Sequence, residues 1–158
     1  GIARALSLEP DIIVCDEATS ALDVSVQKNI CELLVKLQKE KQISYLFIAH
    51  DLGLVDLMCH QVAIMYLGNV MEWLETGRIA FHCKHPYSQA LMDAVFKVDY
   101  HKGEKIKALA GDVPSPVDLP AGCPFQGRCP LCRDICHQEK PKLKEVEPGH
   151  WVACHMVK

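Results

Sequence analysis

A short apolar run that ends in two acids limits what this chain can fold into. Residues 11–16 are DIIVCD, and Glu17 follows them. Such a run is typical of a strand that is buried on both faces of a parallel sheet and whose carboxyl end meets solvent. A second apolar run, YLFIA at 45–49, leads into His50. Because parallel strands end at one edge of a sheet, where α/β proteins hold ligands, we expect these polar side chains to lie together.

Helical patterns alternate with these strands. Asp23 is the expected N-cap of a helix whose apolar residues recur with a helical period from Val26 to Leu37, including Leu33 and Leu34. Further elements are expected as a helix over 52–59, two strands over 62–66 and 70–74 joined by a turn at 68–69, and a helix over 86–96. Strands that alternate with helices predict an α/β fold.

Composition excludes several classes of protein. The 158 residues are 49% apolar and 23% charged, which is typical of a globular chain. The net charge of −3 offers no basic surface for a nucleic acid, so we expect no nucleic-acid partner. No uncharged apolar run reaches the roughly 18 residues of a membrane span.

Asp16 and Glu17 stand where magnesium-nucleotide chemistry needs two carboxylates. One carboxylate can hold the hydrated metal, and the other can orient and deprotonate an attacking water. Acids are also common at strand ends because the chain leaves the core there. His50 at the same sheet edge favours the catalytic interpretation, since an imidazole can donate a hydrogen bond to a γ-phosphate.

Three segments carry a family resemblance. IARAL at 2–6, DEATSALD at 16–23 and IAHD at 48–51 resemble, in order and spacing, the second half of an ABC transporter ATPase subunit. The resemblance implies the C-terminal part of a P-loop ABC-type nucleotide-binding domain. In such a domain Asp16 would hold the magnesium of Mg-ATP through water, and Glu17 would be the general base. Asp23 would lie in the D-loop at a dimer interface, and His50 would contact the γ-phosphate.

The same resemblance implies elements that this sequence does not contain. The Walker A loop, the Q-loop and the signature sequence would precede Gly1, which itself enters a helical stretch without a capping residue. We therefore expect a fragment of an ATP-hydrolysing parent, with little activity on its own. A chain that fails to fold, because its sheet keeps an exposed apolar face, is a further alternative.

The last part of the chain is rich in cysteine. Five of the nine cysteines fall between residues 123 and 154. Disulfides are disfavoured because the first half resembles a cytosolic protein. Zinc is one alternative, since Cys129 and Cys132 have finger-like spacing, and an iron–sulfur cluster is another. The spacing predicts a metal without selecting it, and the nearby histidines that could join a zinc site are His137, His150 and His155.

This tail carries a second resemblance. Its motifs HPYSQAL at 85–91, GDVPSP at 111–116, and GCPF, RCP and GHWVAC between 122 and 154 resemble the C-terminal extension of oligopeptide and dipeptide import ATPases. The resemblance implies a [4Fe-4S] cluster, and Cys132 lies outside its pattern. It also divides the chain into a back half of an ATPase domain, 1–80, and a small, irregular, cysteine-rich extension, 81–158. The implied cluster ligands are Cys123, Cys129, Cys136 and Cys154.

The resemblance also implies partners. They are the transmembrane permease subunits, a second ATPase subunit and, indirectly, an external peptide-binding protein, with the ATPase held peripherally at the cytoplasmic face of the membrane. A metal-holding interaction module without nucleotide chemistry is the alternative function. We expect His85 to cap and pack rather than to catalyse.

Overall fold

The protein forms two compact units in a computed structural model. They are Gly1–Cys59 and His60–Lys158. The structure describes residues 1–19, 22–77, 82–96 and 111–158. The domain boundary expected after residue 80 falls outside the described residues and stays a prediction. No helix in these described ranges is both long and apolar enough to cross a membrane.

The first unit alternates helices and strands. Asp23 is the N-cap of the long second helix, as predicted, and its carboxylate accepts from the backbone N–H of Val26 at 2.9 Å. Gln42 ends this helix in the left-handed conformation, at φ 56°. The elements are α1 (Ile2–Leu6), β1 (Ile12–Asp16), α2 (Val24–Lys41), β2 (Ser44–Ile48) and α3 (Leu52–Met58).

Strands β1 and β2 are parallel neighbours, with Val14 opposite Leu46 and Asp16 opposite Ile48. The predicted burial of β1 on both faces is wrong. Cys15 is buried, but Ile12 and Val14 are 64% and 59% exposed, and Leu46 and Ile48 are 56% and 50% exposed. Successive side chains of a strand alternate between faces, so one face of this two-stranded sheet is apolar and open to solvent.

The second unit is built on an antiparallel sheet of order β3-β4-β6-β5. The strands predicted over 62–66 and 70–74 pair as an antiparallel hairpin, as the turn between them predicts. The tail, expected to be irregular, supplies two strands to this sheet. Its elements are β3 (Gln61–Tyr66), β4 (Asn69–Glu75), α4 (Pro86–Phe96), a 3-10 turn (Gln126–Arg128), α5 (Asp134–Gln138), β5 (Lys144–Glu147) and β6 (His150–Val152).

The β3–β4 hairpin has a two-residue turn. Tyr66 pairs with Asn69, and Leu67 and Gly68 between them have φ of 46° and 72°. Two positive φ angles define the type I′ turn that suits the twist of a hairpin, and it lies one residue before the predicted position.

Farther along the hairpin, Ile64 pairs with Glu72 while Met65 pairs with Val70. Met71 is thus an extra residue in β4, a bulge.

Aromatic and sulfur-bearing side chains form the core of the second unit. Tyr66, Met71, Cys123, Phe125 and Cys136 are buried together. The ring of Phe125 lies 5.3 Å from those of both Tyr66 and Tyr87, centroid to centroid. The hairpin and the cysteine-rich tail therefore share one core.

Candidate functional site

The carboxyl ends of β1 and β2 bring an acid and a histidine together. Nδ1 of His50 lies 3.2 Å from Oε1 of Glu17. The backbone N–H of Glu17 donates to the carbonyl of Ile48 at 2.9 Å, which extends the parallel ladder by one step. The ladder therefore places the backbone of Glu17 next to the chain segment that contains His50.

Both side chains of this pair are exposed, at 57% for Glu17 and 74% for His50. An exposed ion pair contributes little to stability, so the contact has no strong structural purpose. Glu17 also adopts a φ of 44°, a conformation that is unfavourable for a residue with a Cβ. Backbone strain of this kind concentrates at functional sites. The carboxylate of Glu17 is therefore held at the edge of the sheet with access to solvent.

Asp16 and Asp23 occupy different positions near this edge. Asp16 is the exposed last residue of β1. The carboxylate of Asp23 accepts from the hydroxyl of Ser25 at 2.6 Å and from Val26 N–H, and these two bonds lower the pKa of Asp23. Asp23 thus stays ionised at the start of α2. Residues 20–21 of the DEATSALD run lie outside the described residues.

The cysteines of the tail lie close to one another. Cys123 and Cys136 are buried, and the N–H of Cys123 donates to the carbonyl of Cys136 at 2.7 Å. Cys129 and Cys132 pack against the buried cluster that contains this pair. Burial raises the pKa of Cys123 to about 11, and the thiols of Cys136, Cys129 and Cys154 add to the rise through their charges. The four thiols of the expected ligand set therefore influence one another.

This arrangement does not form a metal site. Across residues 1–19, 22–77, 82–96 and 111–158, no three histidine, cysteine or carboxylate side chains are placed to hold one metal ion. All nine cysteines are free thiols. The structure does not support the iron–sulfur cluster that the resemblance implied.

The three tail histidines have separate environments. His137 Nε2 is 3.5 Å from the sulfur of Cys132, and His155 Nε2 is 3.0 Å from the carbonyl of Glu139. His150 is buried against Glu72. The finger-like zinc site, with the histidines as additional ligands, therefore does not assemble among the described residues.

Sequence reasoning missed a buried carboxylate, Glu72. It is fully buried, and its two oxygens accept from the N–H of Lys84 at 2.7 Å, the N–H of His85 at 3.2 Å and Nε2 of His150 at 2.7 Å. The bulge at Met71 explains its position, because it lets two consecutive residues face inward. A single acid within an otherwise apolar strand segment, VMEWL, was the available signal.

His85 caps and packs, as expected. Its Nδ1 accepts from the N–H of Tyr87 at 3.0 Å, in the first turn of α4. The ring is buried 5.8 Å from that of Phe125. Burial lowers the pKa of His85 to about 4, so the ring is neutral at physiological pH and Nδ1 stays an acceptor.

Known proteins match this chain along nearly its whole length. Residues 71–136 match the family described as "Oligopeptide/dipeptide transporter, C-terminal region". Oligopeptide transport ATP-binding protein AppF of Bacillus subtilis is 45% identical over 159 residues, which cover 99% of this chain and 48% of AppF.

Two provisionally named relatives agree. YkfD of Bacillus subtilis, an oligopeptide transport ATP-binding protein by name, is 48% identical over 158 residues, covering 99% of this chain and 48% of YkfD. A peptide import ATP-binding protein of Brucella ovis is 46% identical over 154 residues, covering 98% of this chain and 49% of the relative. The chain thus spans about half the length of these relatives. Residues 71–136 carry the C-terminal region of the oligopeptide/dipeptide transporter family, and the chain as a whole is similar to ATP-binding proteins of oligopeptide and peptide transport.

Proposed function

We propose that this chain supplies the water-activating edge of an ATP-hydrolysing subunit that drives peptide import. The contact between Glu17 and His50 at the carboxyl ends of two parallel strands carries the proposal. The relatives are named for ATP binding and for oligopeptide or peptide transport, which supports the same activity. ATP is the substrate and Mg²⁺ its counter-ion.

Glu17 would act as the general base. Its carboxylate is exposed, so a water molecule can reach it, and an ionised carboxylate can accept the proton that such a water loses. Asp16, one residue earlier at the end of β1, would hold the hydrated Mg²⁺. The bound magnesium would neutralise charge on the phosphates. The two acids thereby divide metal binding and proton transfer between them.

The contact with Glu17 also constrains how His50 can meet a phosphate. An ionised carboxylate only accepts hydrogen bonds, so Nδ1 of His50 donates to Glu17. A neutral imidazole then has no proton on Nε2. In this tautomer Nε2 is an acceptor, so donation from Nε2 to a γ-phosphate requires that His50 first release its contact with Glu17.

The proposal includes an assembly. Asp23, held ionised at the start of α2, would lie at the interface with a second ATPase subunit. The pair would act on transmembrane permease subunits from the cytoplasmic face, with an external protein that delivers the peptide. We assign residues 1–80 to the ATPase domain and 81–158 to the extension. The 158 residues contain no phosphate-binding glycine-rich loop, so we expect little turnover from them alone.

A chimaera tests the role of Glu17. This chain replaces the matching half of AppF, and ATP hydrolysis is compared between the parent chimaera and its Glu17→Gln variant. Loss of the base should reduce turnover by roughly 10²- to 10⁴-fold and leave ATP binding intact. Glu32→Gln, which removes an exposed acid on α2, is the matched control. Turnover of Glu17→Gln at the level of Glu32→Gln would exclude Glu17 as the base.

The tail cysteines form a second part of the proposal. Cys123, Cys129, Cys136 and Cys154 would bind a [4Fe-4S] cluster, or zinc, after the side chains rearrange. The packing of Cys123, Cys136 and Cys129 in and against one buried cluster supports this ligand set. Iron, sulfide and zinc are measured in protein purified without oxygen. Stoichiometric zinc without iron would select zinc, and the absence of both metals would contradict the ligand set.

Metal retained by a chimaera that does not hydrolyse ATP would favour the metal-holding interaction module.

A further inference from the structure

The four-stranded sheet of the second unit has one face that is open to solvent. In an antiparallel sheet such a face is normally polar. Here it carries Met65 of β3, Trp73 of β4 and Trp151 of β6, which are 54%, 39% and 39% exposed. Trp73 is paired directly with both Ala63 and Trp151, so these side chains lie on the same side of the sheet. We call Ala63, Met65, Trp73 and Trp151 the tryptophan face.

The tryptophan face is a regular part of the sheet rather than a local distortion. Exposed and buried residues alternate along the whole of β3 and from Glu72 to Glu75 in β4. In the part of the chain that the structure describes, neither indole stacks on another aromatic ring. Exposed apolar surface with a polar border marks interaction sites, and tryptophan is enriched among the residues that dominate binding. The tryptophan face is therefore a candidate docking surface.

Two carboxylates border this face beside Trp151. Glu145 of β5 is paired directly with Trp151. Glu75 lies two residues after Trp73 and therefore on the same side of β4. Both acids approach Gly149, because Oε1 of Glu145 accepts from its N–H at 2.9 Å and a Cβ added there would lie 3.9 Å from Oε1 of Glu75. Gly149 itself has no side chain to fill the space between them.

These two carboxylates lack a positive partner. Within the described ranges, no lysine, arginine or histidine forms an ion pair with Glu75 or Glu145. Like charges that approach each other without a cation repel. A cation between them would remove this repulsion, and the faces of the neighbouring indoles attract cations as well. Charge complementarity thus indicates a cationic partner.

We propose that the tryptophan face, bordered by Glu75 and Glu145, docks a protein segment that presents an arginine between apolar side chains. A guanidinium group is planar, so it can stack on an indole while its edge donates hydrogen bonds to carboxylates. The apolar neighbours of the arginine would cover Met65 and Ala63. This inference concerns binding alone, and it depends neither on ATP hydrolysis nor on a metal in the tail.

Intrinsic fluorescence tests the proposal. Trp73 and Trp151 are the only two tryptophans of the 158 residues, so all tryptophan emission comes from this face. The full chain is titrated with an end-blocked synthetic peptide, Gly-Leu-Arg-Leu-Gly, and with a matched peptide in which citrulline, a neutral analogue, replaces arginine. We expect a saturable change in emission, and an affinity at least about fivefold lower for the citrulline peptide. Added salt should weaken binding of the arginine peptide, because exposed charges are screened.

Variants of the two acids test the source of the charge preference. The double variant Glu75→Gln, Glu145→Gln should bind the arginine peptide no better than the citrulline peptide. Its amides can still accept the N–H of Gly149, so the fold should persist. Glu139→Gln removes an exposed acid after α5 and should keep the preference for arginine.

A variant of the sheet face tests the aromatic contribution. Trp73→Thr keeps strand propensity, leaves Trp151 as the reporter and should weaken binding of both peptides. Val117→Thr changes an exposed residue outside the sheet and should leave both affinities unchanged. Circular dichroism checks that the variants fold. If Trp73→Thr does not fold, the acid variants still decide the question.

Three results would overturn the proposal. The first is equal affinity of the unmodified chain for the two peptides. The second is an emission change that follows the concentration of the chain without peptide, which would assign the face to a second copy. The third concerns the AppF chimaera and a fluorescein-labelled arginine peptide, followed by anisotropy. Binding to the 158-residue chain but not to the chimaera would show that the rest of the subunit covers the face.

Discussion

The burial and contacts of individual residues are what the sequence patterns of this protein predict least well. Glu72 is an acid in a strand whose neighbours are apolar, and the pattern alone places it on the surface. The structure buries it because three donors, Lys84 N–H, His85 N–H and His150, converge on its two oxygens. His150 lies 78 residues away in sequence. No local pattern could bring it to Glu72.

Replacing Glu72 with Gln should destabilise the second unit. Both carboxylate oxygens accept backbone N–H groups, and an amide nitrogen cannot accept, so one donor stays buried and unsatisfied. We expect a loss of about 1–3 kcal/mol in the free energy of unfolding, measured by urea denaturation. Glu75→Gln removes an exposed acid from the same strand and should change little. Equal stability of the two variants would show that the Glu72 cluster contributes nothing.

His85 should make the protein sensitive to acid. Its pKa is about 4 when folded and about 6.5 when unfolded, so the unfolded chain binds more protons between these values. Stability is then complete above about pH 6.5 and falls by up to about 1.4 kcal/mol per pH unit as the pH drops towards 4. The unfolding free energy measured at intervals from about pH 7 to pH 5 gives this slope.

His85→Asn provides the comparison for that slope. Asparagine can still accept from the N–H of Tyr87 but does not titrate, so the variant should show a shallower dependence on pH. His60→Asn replaces an exposed histidine and should keep the original slope. An unchanged slope in His85→Asn would remove His85 as its source.

Secondary-structure elements follow the sequence more closely. The positions of β1, β2, α3 and α4 match their predictions within one or two residues, because apolar periodicity and Pro86 are local signals. Side-chain burial is harder to predict, because it depends on contacts between segments that are distant in sequence. On α2, Cys31 and Leu34 are buried, while the predicted core residues Val26 and Leu33 are 39% and 43% exposed. The buried face of α2 is therefore narrower than the apolar face that its sequence predicts.

The candidate site shows the same division. Paired acids and a histidine at strand ends were recognisable from sequence, and the parallel ladder brings Glu17 and His50 together. The strained φ of Glu17 could not be predicted from the sequence, because it depends on backbone geometry. The separate positions of the tail histidines could not be predicted either, because they depend on packing between distant segments.

Gly122 permits a close approach between two segments of the tail. A Cβ at this position would lie 2.1 Å from the carbonyl oxygen of Cys136, which cannot shift without breaking its bond from Cys123. Gly122→Ala should therefore cost at least about 1–3 kcal/mol and lower the melting temperature. Gly127→Ala, in the adjacent turn with no atom within 4 Å of its added Cβ, is the control. Similar melting temperatures for both variants would contradict this packing.

At the scale of the whole molecule, the open apolar face of the β1–β2 sheet stands out. Parallel sheets are usually covered on both faces, and this face presents Ile12, Val14, Leu46 and Ile48 to solvent. Contiguous exposed apolar surface promotes association.

The double variant Val14→Thr, Leu46→Thr should weaken self-association of the chain. The two residues face each other across the strands, and threonine preserves strand propensity while adding a hydroxyl. Burial of one such aliphatic side chain is worth about 1.5–3 kcal/mol, so we expect association to weaken at least about tenfold in sedimentation velocity. Val113→Thr with Leu119→Thr changes exposed residues elsewhere. If both pairs behave alike, the sheet face is not responsible.

In the sheet of order β3-β4-β6-β5, hydrogen bonds between β4 and β6 hold together two segments that lie far apart in the sequence. Glu72 in β4 lies opposite Val152 in β6. A single protease cut between Glu75 and Lys144 would therefore release no product, because both pieces remain strands of one sheet with Phe125 and its neighbours still packed. The nicked protein would elute from gel filtration as an intact particle and separate into two bands only after denaturation.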